Sequence, residues 1–165
     1  MKIIITGGAG FVGSHVAEYY ATKNEEVVVF DNISRAELLG YETSNAMYNW
    51  NYLKRYDNIE LIKGDIRDAE MIKNAAKDAD VIIHTAAQTA VTTSLENPRT
   101  DFEVNALGTF NVLEATRLSK SDPCVIFCST NKVYGDNVNK IPVREKEIGY
   151  GSYNKNSKLG GKRDT

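Results

Sequence analysis

The sequence predicts an α/β protein built on a doubly wound parallel sheet, and three observations carry that expectation. Five short runs rich in β-branched residues recur along the chain, the stretches between them have helical spacing, and hairpin turn signals are few. The runs are near-continuous in apolar residues rather than alternating, so both faces of the sheet should be covered. Strands separated by helices of this length imply right-handed crossovers, and the expected strand order is 3-2-1-4-5.

The elements follow in order. The first strand is read at 2–6 (KIIIT). After it, Phe11, Val12, His15, Val16, Tyr19 and Tyr20 recur at helical spacing and are expected to form the buried stripe of a helix, with His15 structural. EVVVF at 26–30 is the second strand. Tyr48, Tyr52 and Tyr56 lie four apart near Trp50; with no basic stripe beside them they are read as a helix covering the sheet rather than a stacking platform for bases. IELIK at 59–63 and DVIIH at 80–84 are the third and fourth strands. Asn97 is placed to cap a helix with Pro98 at its first position, and Phe102, Ala106, Phe110 and Leu113 are its expected core stripe. CVIFC at 124–128 is the fifth strand. After Gly135 the periodicity stops. The expected organisation is therefore one domain over 1–135 and a polar, poorly ordered tail without strands over 136–165.

Composition excludes several classes of partner. The 165 residues suffice for one core, and a net charge of -2 gives no reason to expect nucleic acid or an anionic membrane surface. No apolar run approaches the roughly 18 residues of a spanning helix. With the first strand starting at Lys2 there is no room for a signal peptide, so a cytoplasmic location is expected. Cys124 and Cys128 fall on one face of a strand about 13 Å apart, too far for a disulfide or a shared metal, and are read as buried free thiols. No Cys/His/Asp cluster has metal-ligand spacing, so no metal is expected.

The chemistry lies where the first strand gives way to the first helix. In TGGAGFVGSH, Gly7, Gly10 and Gly13 fit three jobs: a tight turn, a close backbone approach to a pyrophosphate, and close packing of helix on strand. The following helix start, at Phe11 and Val12, offers N–H groups and a positive dipole end to phosphates. The chain lacks the G-x-x-x-x-G-K-[ST] pattern of a nucleoside-triphosphatase loop. Asp31, followed by Asn32, ends the second strand about 20 residues on, where a carboxylate accepts both ribose hydroxyls of an adenosine and repels a 2′-phosphate. NAD is thus expected over NADP, although Arg35 lies close by, and Asp31 can also simply initiate a turn.

The later strand ends agree. GDIRD places Asp65 where it can accept from an adenine amino group and Ile66 where it can pack on the ring. HTAAQ offers Ala86 and Ala87, small enough for a ribose to pass, and then Gln88. His84 beside them is read as a hydrogen-bonded structural histidine. CSTNKVYG places hydroxyls at Ser129 and Thr130. Asn105 and Gly108 are candidates for anchoring a central helix against the site, Asn105 also as a cofactor contact. In open α/β sheets ligands bind outside the carboxyl ends of the strands, at the switch point. A methyltransferase shares this strand–glycine–helix arrangement, but the full spelling of the loop counts against it.

Together these motifs resemble the extended short-chain dehydrogenase/reductase family, with its NAD-dependent nucleotide-sugar epimerases and dehydratases. TGGAGFVGSH, the DN at Asp31, GDIRD, HTAAQ and NALGTFNVLEA are similar to successive signatures of that family, over about residues 1–145. The resemblance implies a Rossmann fold, NAD as cofactor, a nucleotide-sugar substrate, a homodimer, and Thr130 as the catalytic hydroxyl. Family dehydratases follow that Thr with Asp-Glu; here Asn131-Lys132 follows, as in the CDP-paratose 2-epimerase group. The family's catalytic Tyr-x-x-x-Lys, one helical turn apart, has no intact match. Tyr150 and Lys158 look like its members split by an inserted YNKN, while Tyr150 to Lys155 and Tyr153 to Lys158 are each five residues, roughly 140° apart around a helix. A counterpart of the family's sixth strand and sugar-binding domain is not expected within these 165 residues. The expectation is the cofactor half of an epimerase, inactive alone, with an NAD-sensing module as the competing class.

Overall fold

The computed structural model describes residues 1–34, 43–130, 133, 135–145 and 150–152. The chain divides into two compact units, Met1–Cys128 and Ser129–Thr165.

The first unit is a five-stranded parallel sheet. Its strands are β1 (Lys2–Thr6), β2 (Glu26–Asp31), β3 (Ile59–Lys63), β4 (Val81–His84) and β5 (Cys124–Phe127), in the order β3-β2-β1-β4-β5 expected from the sequence. Register aligns Ile4 with Val28 on one side and with Ile82 on the other, so the central three strands stack their apolar rows. Alternate residues then face opposite layers. Ile3, Ile5, Val27 and Val29 pack beneath α1 (Phe11–Ala21) and α2 (Thr43–Leu53), while Ile4, Val28, Phe30 and Ile82 pack beneath α3 (Ala69–Ala75) and α6 (Gly108–Leu118). Between β4 and α6 run α4 (Val91–Glu96), α5 (Pro98–Phe102) and a π-helical turn, Glu103–Leu107.

Local chemistry explains the helix starts. Asp68 caps α3, its side chain accepting from Glu70 N and Met71 N. Asn97 caps α5 by accepting from Thr100 N, with Pro98 in the first turn as expected. The aromatic helix α2 does cover the sheet, through Trp50 and Leu53, while Tyr48 is exposed.

Both predicted core stripes are corrected. In α1 the buried positions are Gly13, Ser14, Ala17 and Ala21, whereas Phe11 is 73% exposed and Val12, His15 and Tyr19 also face solvent. In α6 the buried positions are Gly108, Asn111, Val112 and Ala115; Phe102, Ala106, Phe110 and Leu113 are exposed. Val16 and Tyr20 of the first stripe are partly buried against the core and Val112 is fully buried, but elsewhere both helices approach the sheet on small residues while Phe11, Tyr19, Phe110 and Leu113 point away. The π-helical turn adds a phase shift, because it breaks the 3.6-residue period between Phe102 and Phe110. Cys124 and Cys128 are also exposed, not buried.

The second unit holds a 3₁₀ turn at Asp136–Lys140 and an antiparallel pair, β6 (Val143–Glu145) with β7 (Tyr150–Ser152), joining Val143 to Ser152. Gly135 precedes it with φ of 60°. The expectation of no strand in 136–165 is thereby corrected: the short paired segments lack the long apolar run that marks a buried strand. No helix among the described residues is long and apolar enough to cross a membrane.

Candidate cofactor site

At the carboxyl ends of β1, β2, β3 and β4 lies a cavity of about 640 Å³, the size range of small-molecule sites. Gly7 turns the chain out of β1 with φ of 69°, and a Cβ there would stand 2.6 Å from Ala86 N. Gly13 is tighter still, since a Cβ would meet Gly7 O at 2.3 Å; helix and loop touch only because both residues are glycine. A Cβ on Gly10 would meet Gly7 O alone, at 3.0 Å, with no other atom within 4 Å. Gly10 caps α1 without a side chain, so the first-turn N–H groups remain open for an anion.

Asp31 holds the opposite side of the loop. Its Oδ2 accepts from Ala9 N at 3.0 Å and its Oδ1 from Ile33 N at 2.7 Å. Burial raises its carboxyl above the usual range, and these two backbone donors oppose that shift. Each oxygen keeps a lone pair for a further donor. The expected turn role and the expected binding role are therefore compatible.

Next comes the β3 end. Asp65 Oδ1 accepts from Arg67 N and Nε, and Oδ2 from an Arg67 terminal nitrogen at 2.7 Å and from Asn32 Nδ2 at 3.0 Å. The Arg67 guanidinium pulls the Asp65 carboxyl down to about 2. Ile66 packs under α6, where a Cβ on Gly108 would sit 2.5 Å from its Cδ1, and Asn111 Nδ2 donates to Ile66 O. Gly108 thus anchors the helix to the site, as the sequence suggested.

Beyond β4, the loop 85–90 is braced from within and from the π-helical turn. Asn105 Oδ1 accepts from Gln88 N, and Asn105 Nδ2 donates to Gln88 O and to Asp101. Gln88 spends its own amide on Ala90, donating to its carbonyl and accepting from its N–H. His84 is buried between two hydroxyls. Thr109 donates to Asn105 O, so its oxygen accepts from His84 Nε2–H at 3.0 Å; Thr6 donates to His84 Nδ1 at 2.6 Å. Burial pushes this imidazole down to about 4, which keeps it neutral. The structural reading of His84 holds.

The cavity thus gathers Gly7, Gly10, Phe11, Val12 and Gly13 with Asp31, Asn32, Asp65, Ile66, Ala86, Ala87 and Gln88. Asn105 stands behind the lining and positions Gln88 instead of bordering the cavity. Ser129, Thr130 and Tyr150 belong to the second unit, where Tyr150 sits on β7, a strand and not a helix. Arg35, Asn131, Lys132, Tyr153, Lys155 and Lys158 lie outside the described residues. Sequence reading missed Ile33, Ser34 and Asn49 on the rim. Asn49 donates to Ala9 O from α2, and no motif marks it. Ile33 has φ of 60°, a conformation that a β-branched residue does not advertise. No cluster able to hold a metal ion occurs among the described residues.

The cavity fits a dinucleotide by its own chemistry: its lining combines an uncapped helix start for phosphates with a carboxylate whose open lone pairs suit a ribose. The profile of the GDP-mannose 4,6 dehydratase family matches residues 4–153. The chain belongs to that family. It is an extended short-chain dehydrogenase/reductase of the epimerase/dehydratase type with a Rossmann fold. It is 41% identical to a CDP-paratose 2-epimerase of Salmonella typhi over 82% of its own length and 38% of the relative's. With a dTDP-glucose 4,6-dehydratase of Mycobacterium tuberculosis it shares 33%, over the same shares of each chain. Among solved structures, a UDP-glucuronic acid 4-epimerase of Bacillus cereus, in complex with a fluorinated UDP-sugar and NAD, superposes with a TM-score of 0.70 at 29% identity, over 82% of this chain and 42% of that one. The chain thus spans about two fifths of the length of these relatives.

Proposed function

We propose that this chain is the NAD-binding part of a nucleotide-sugar epimerase, selective for NAD over NADP. The pairing that supports this reading is the bare start of α1 and the Asp31 carboxylate, held against the glycine loop through Ala9 N, lining one cavity. The first-turn N–H groups receive the pyrophosphate, Asp31 accepts the ribose hydroxyls, and the wall at Gly64 and Ile66 receives the adenine ring. The chemistry that a bound NAD would supply at this site is reversible hydride acceptance from a sugar carbinol. The chain's own residues bind and orient: the close packing at Gly7 and Gly13 fixes the phosphate cradle, and Asn105 fixes the loop through Gln88. Thr130 is the candidate hydroxyl for the sugar oxygen, by its place before VYG. The Asn131-Lys132 pair, where family dehydratases carry Asp-Glu, favours epimerisation over loss of water.

A second reading is a module that binds NAD without catalysis. It is favoured by Tyr150 lying on a strand, away from the helical Tyr-x-x-x-Lys geometry in which a lysine lowers the tyrosine pKa. Incubating the purified chain with NAD and CDP-, UDP-, dTDP- and GDP-sugars, and following product stereochemistry, tests whether the chain turns over a nucleotide sugar by itself. The expected result is NAD binding without turnover by the chain alone. Turnover of about 1 s⁻¹, ordinary for enzymes, refutes that expectation.

A further inference from the structure

The expected adenine acceptor, Asp65, is already saturated. An ionised carboxylate has about four acceptor positions, and the four donors around Asp65 are Arg67 N, Arg67 Nε, an Arg67 terminal nitrogen and Asn32 Nδ2. Three of the four come from one residue. An amino group entering the cavity beside Ile66 finds no open lone pair while the Arg67 fork stays in place.

A second carboxylate waits within reach. Glu103 Oε2 lies 3.6 Å from the other terminal nitrogen of Arg67, while Glu103 Oε1 is held by Arg99 Nε at 2.8 Å. Arg67 does not line the cavity and its side chain is 38% exposed, so the guanidinium can swing from Asp65 towards Glu103 without crossing the binding space. That swing leaves Asp65 with Arg67 N and Asn32 Nδ2 and frees two acceptor positions.

We propose that Arg67 is a specificity-determining residue of the dinucleotide site: its guanidinium competes with the adenine amino group for Asp65, and adenine is admitted by transfer of the guanidinium to Glu103. The proposal rests on the reading that the cavity takes NAD. It also has a chemical signature. With the fork on Asp65, neither the amino group nor a carbonyl in its place finds a partner there; with the fork removed, the amino group gains an acceptor, whereas a carbonyl faces a bare carboxylate and is repelled.

The test is calorimetric titration of the wild-type chain, Arg67→Met, Glu103→Gln and the double variant with NAD and with nicotinamide hypoxanthine dinucleotide. Arg67→Met keeps the aliphatic stem, and thermal unfolding checks that each variant folds. A partly exposed ion pair is weak, so Arg67→Met is expected to bind NAD about two- to fivefold more tightly than wild type. Its preference for NAD over the hypoxanthine analogue should widen. Glu103→Gln should weaken NAD binding in the wild-type background and have no effect once Arg67 is Met. Unchanged or weaker NAD binding by folded Arg67→Met, with normal binding by wild type, overturns the competition alone. A Glu103→Gln effect that persists in the double variant overturns the transfer. Absence of NAD binding by every variant and by wild type overturns both this proposal and the cofactor reading beneath it.

Discussion

Acidification should weaken the fold well above the pH at which carboxylates protonate, and His84 is the cause. The imidazole is 2% exposed, donates to Thr109 and accepts from Thr6, and has no place for a second proton without losing the Thr6 bond. Burial lowers it from 6.5 to about 4. Between those values the unfolded chain binds a proton that the folded chain refuses, so stability is full above pH 6.5 and is lost as pH falls towards 4. At about 1.4 kcal/mol per unit, the shift corresponds to roughly 3 kcal/mol in all. Two groups in the same fold act elsewhere or oppositely. Asp65, lowered to about 2 from 3.8, contributes stability lost only below pH 3.8, whereas Asp31, raised by burial, gains stability as pH falls towards 3.8. Comparison with His84→Gln cancels both. The assay is urea unfolding followed by the fluorescence of Trp50, the sole tryptophan and a buried one, at half-unit steps from pH 7.5 to 4.5. Wild type should lose about 1.4 kcal/mol per unit below pH 6.5 relative to His84→Gln. Parallel curves for the two proteins would show that burial of a neutral His84 does not set the pH dependence of stability.

Three further outcomes follow from the same geometry. Asp31→Ala removes the acceptor for the ribose hydroxyls, each charge-assisted bond being worth about 1.5–3 kcal/mol, and calorimetry should show NAD affinity reduced by at least about tenfold; equal affinities remove Asp31 from the site. Gly13→Ala drives a Cβ to 2.3 Å from Gly7 O and should destabilise the fold by more than about 2 kcal/mol in urea unfolding, whereas Gly10→Ala should fold and lose NAD affinity. Phe110→Ser, at a residue 59% exposed, should change stability by no more than about 0.5 kcal/mol, while Val112→Ala beside it should cost about 2 kcal/mol; the reverse ranking restores the core stripe that sequence periodicity suggested.

What the sequence disclosed and what it hid divide along a physical line. Strands announced themselves because a parallel sheet covered on both faces demands runs such as KIIIT and EVVVF, and β1 and β3 begin and end where those runs do. The glycine loop was legible because the close approaches at Gly7 and Gly13 leave few residue choices, and Asp31, Ala86 and Ala87 because they end strands that open on the same cavity. Helix faces were not. Hydropathy marks Phe110 and Leu113, yet the buried face of α6 is Gly108, Asn111, Val112 and Ala115, of which only Val112 stands out in hydropathy. The π-helical turn at Glu103–Leu107 is invisible to a 3.6-residue period. Rim residues such as Asn49 reach the site from an element distant in sequence, and the saturation of Asp65 by Arg67 depends on a side-chain geometry that GDIRD alone does not specify.

The cavity at the strand ends is proposed as an NAD site in which Asp31 reads the ribose. Isothermal titration of the purified chain with NAD and NADP tests it most directly. Saturable binding of one NAD per chain is expected, with NADP at least about tenfold weaker because a 2′-phosphate would stand against the Asp31 carboxylate. No saturable NAD binding, or NADP binding as tightly as NAD, contradicts it.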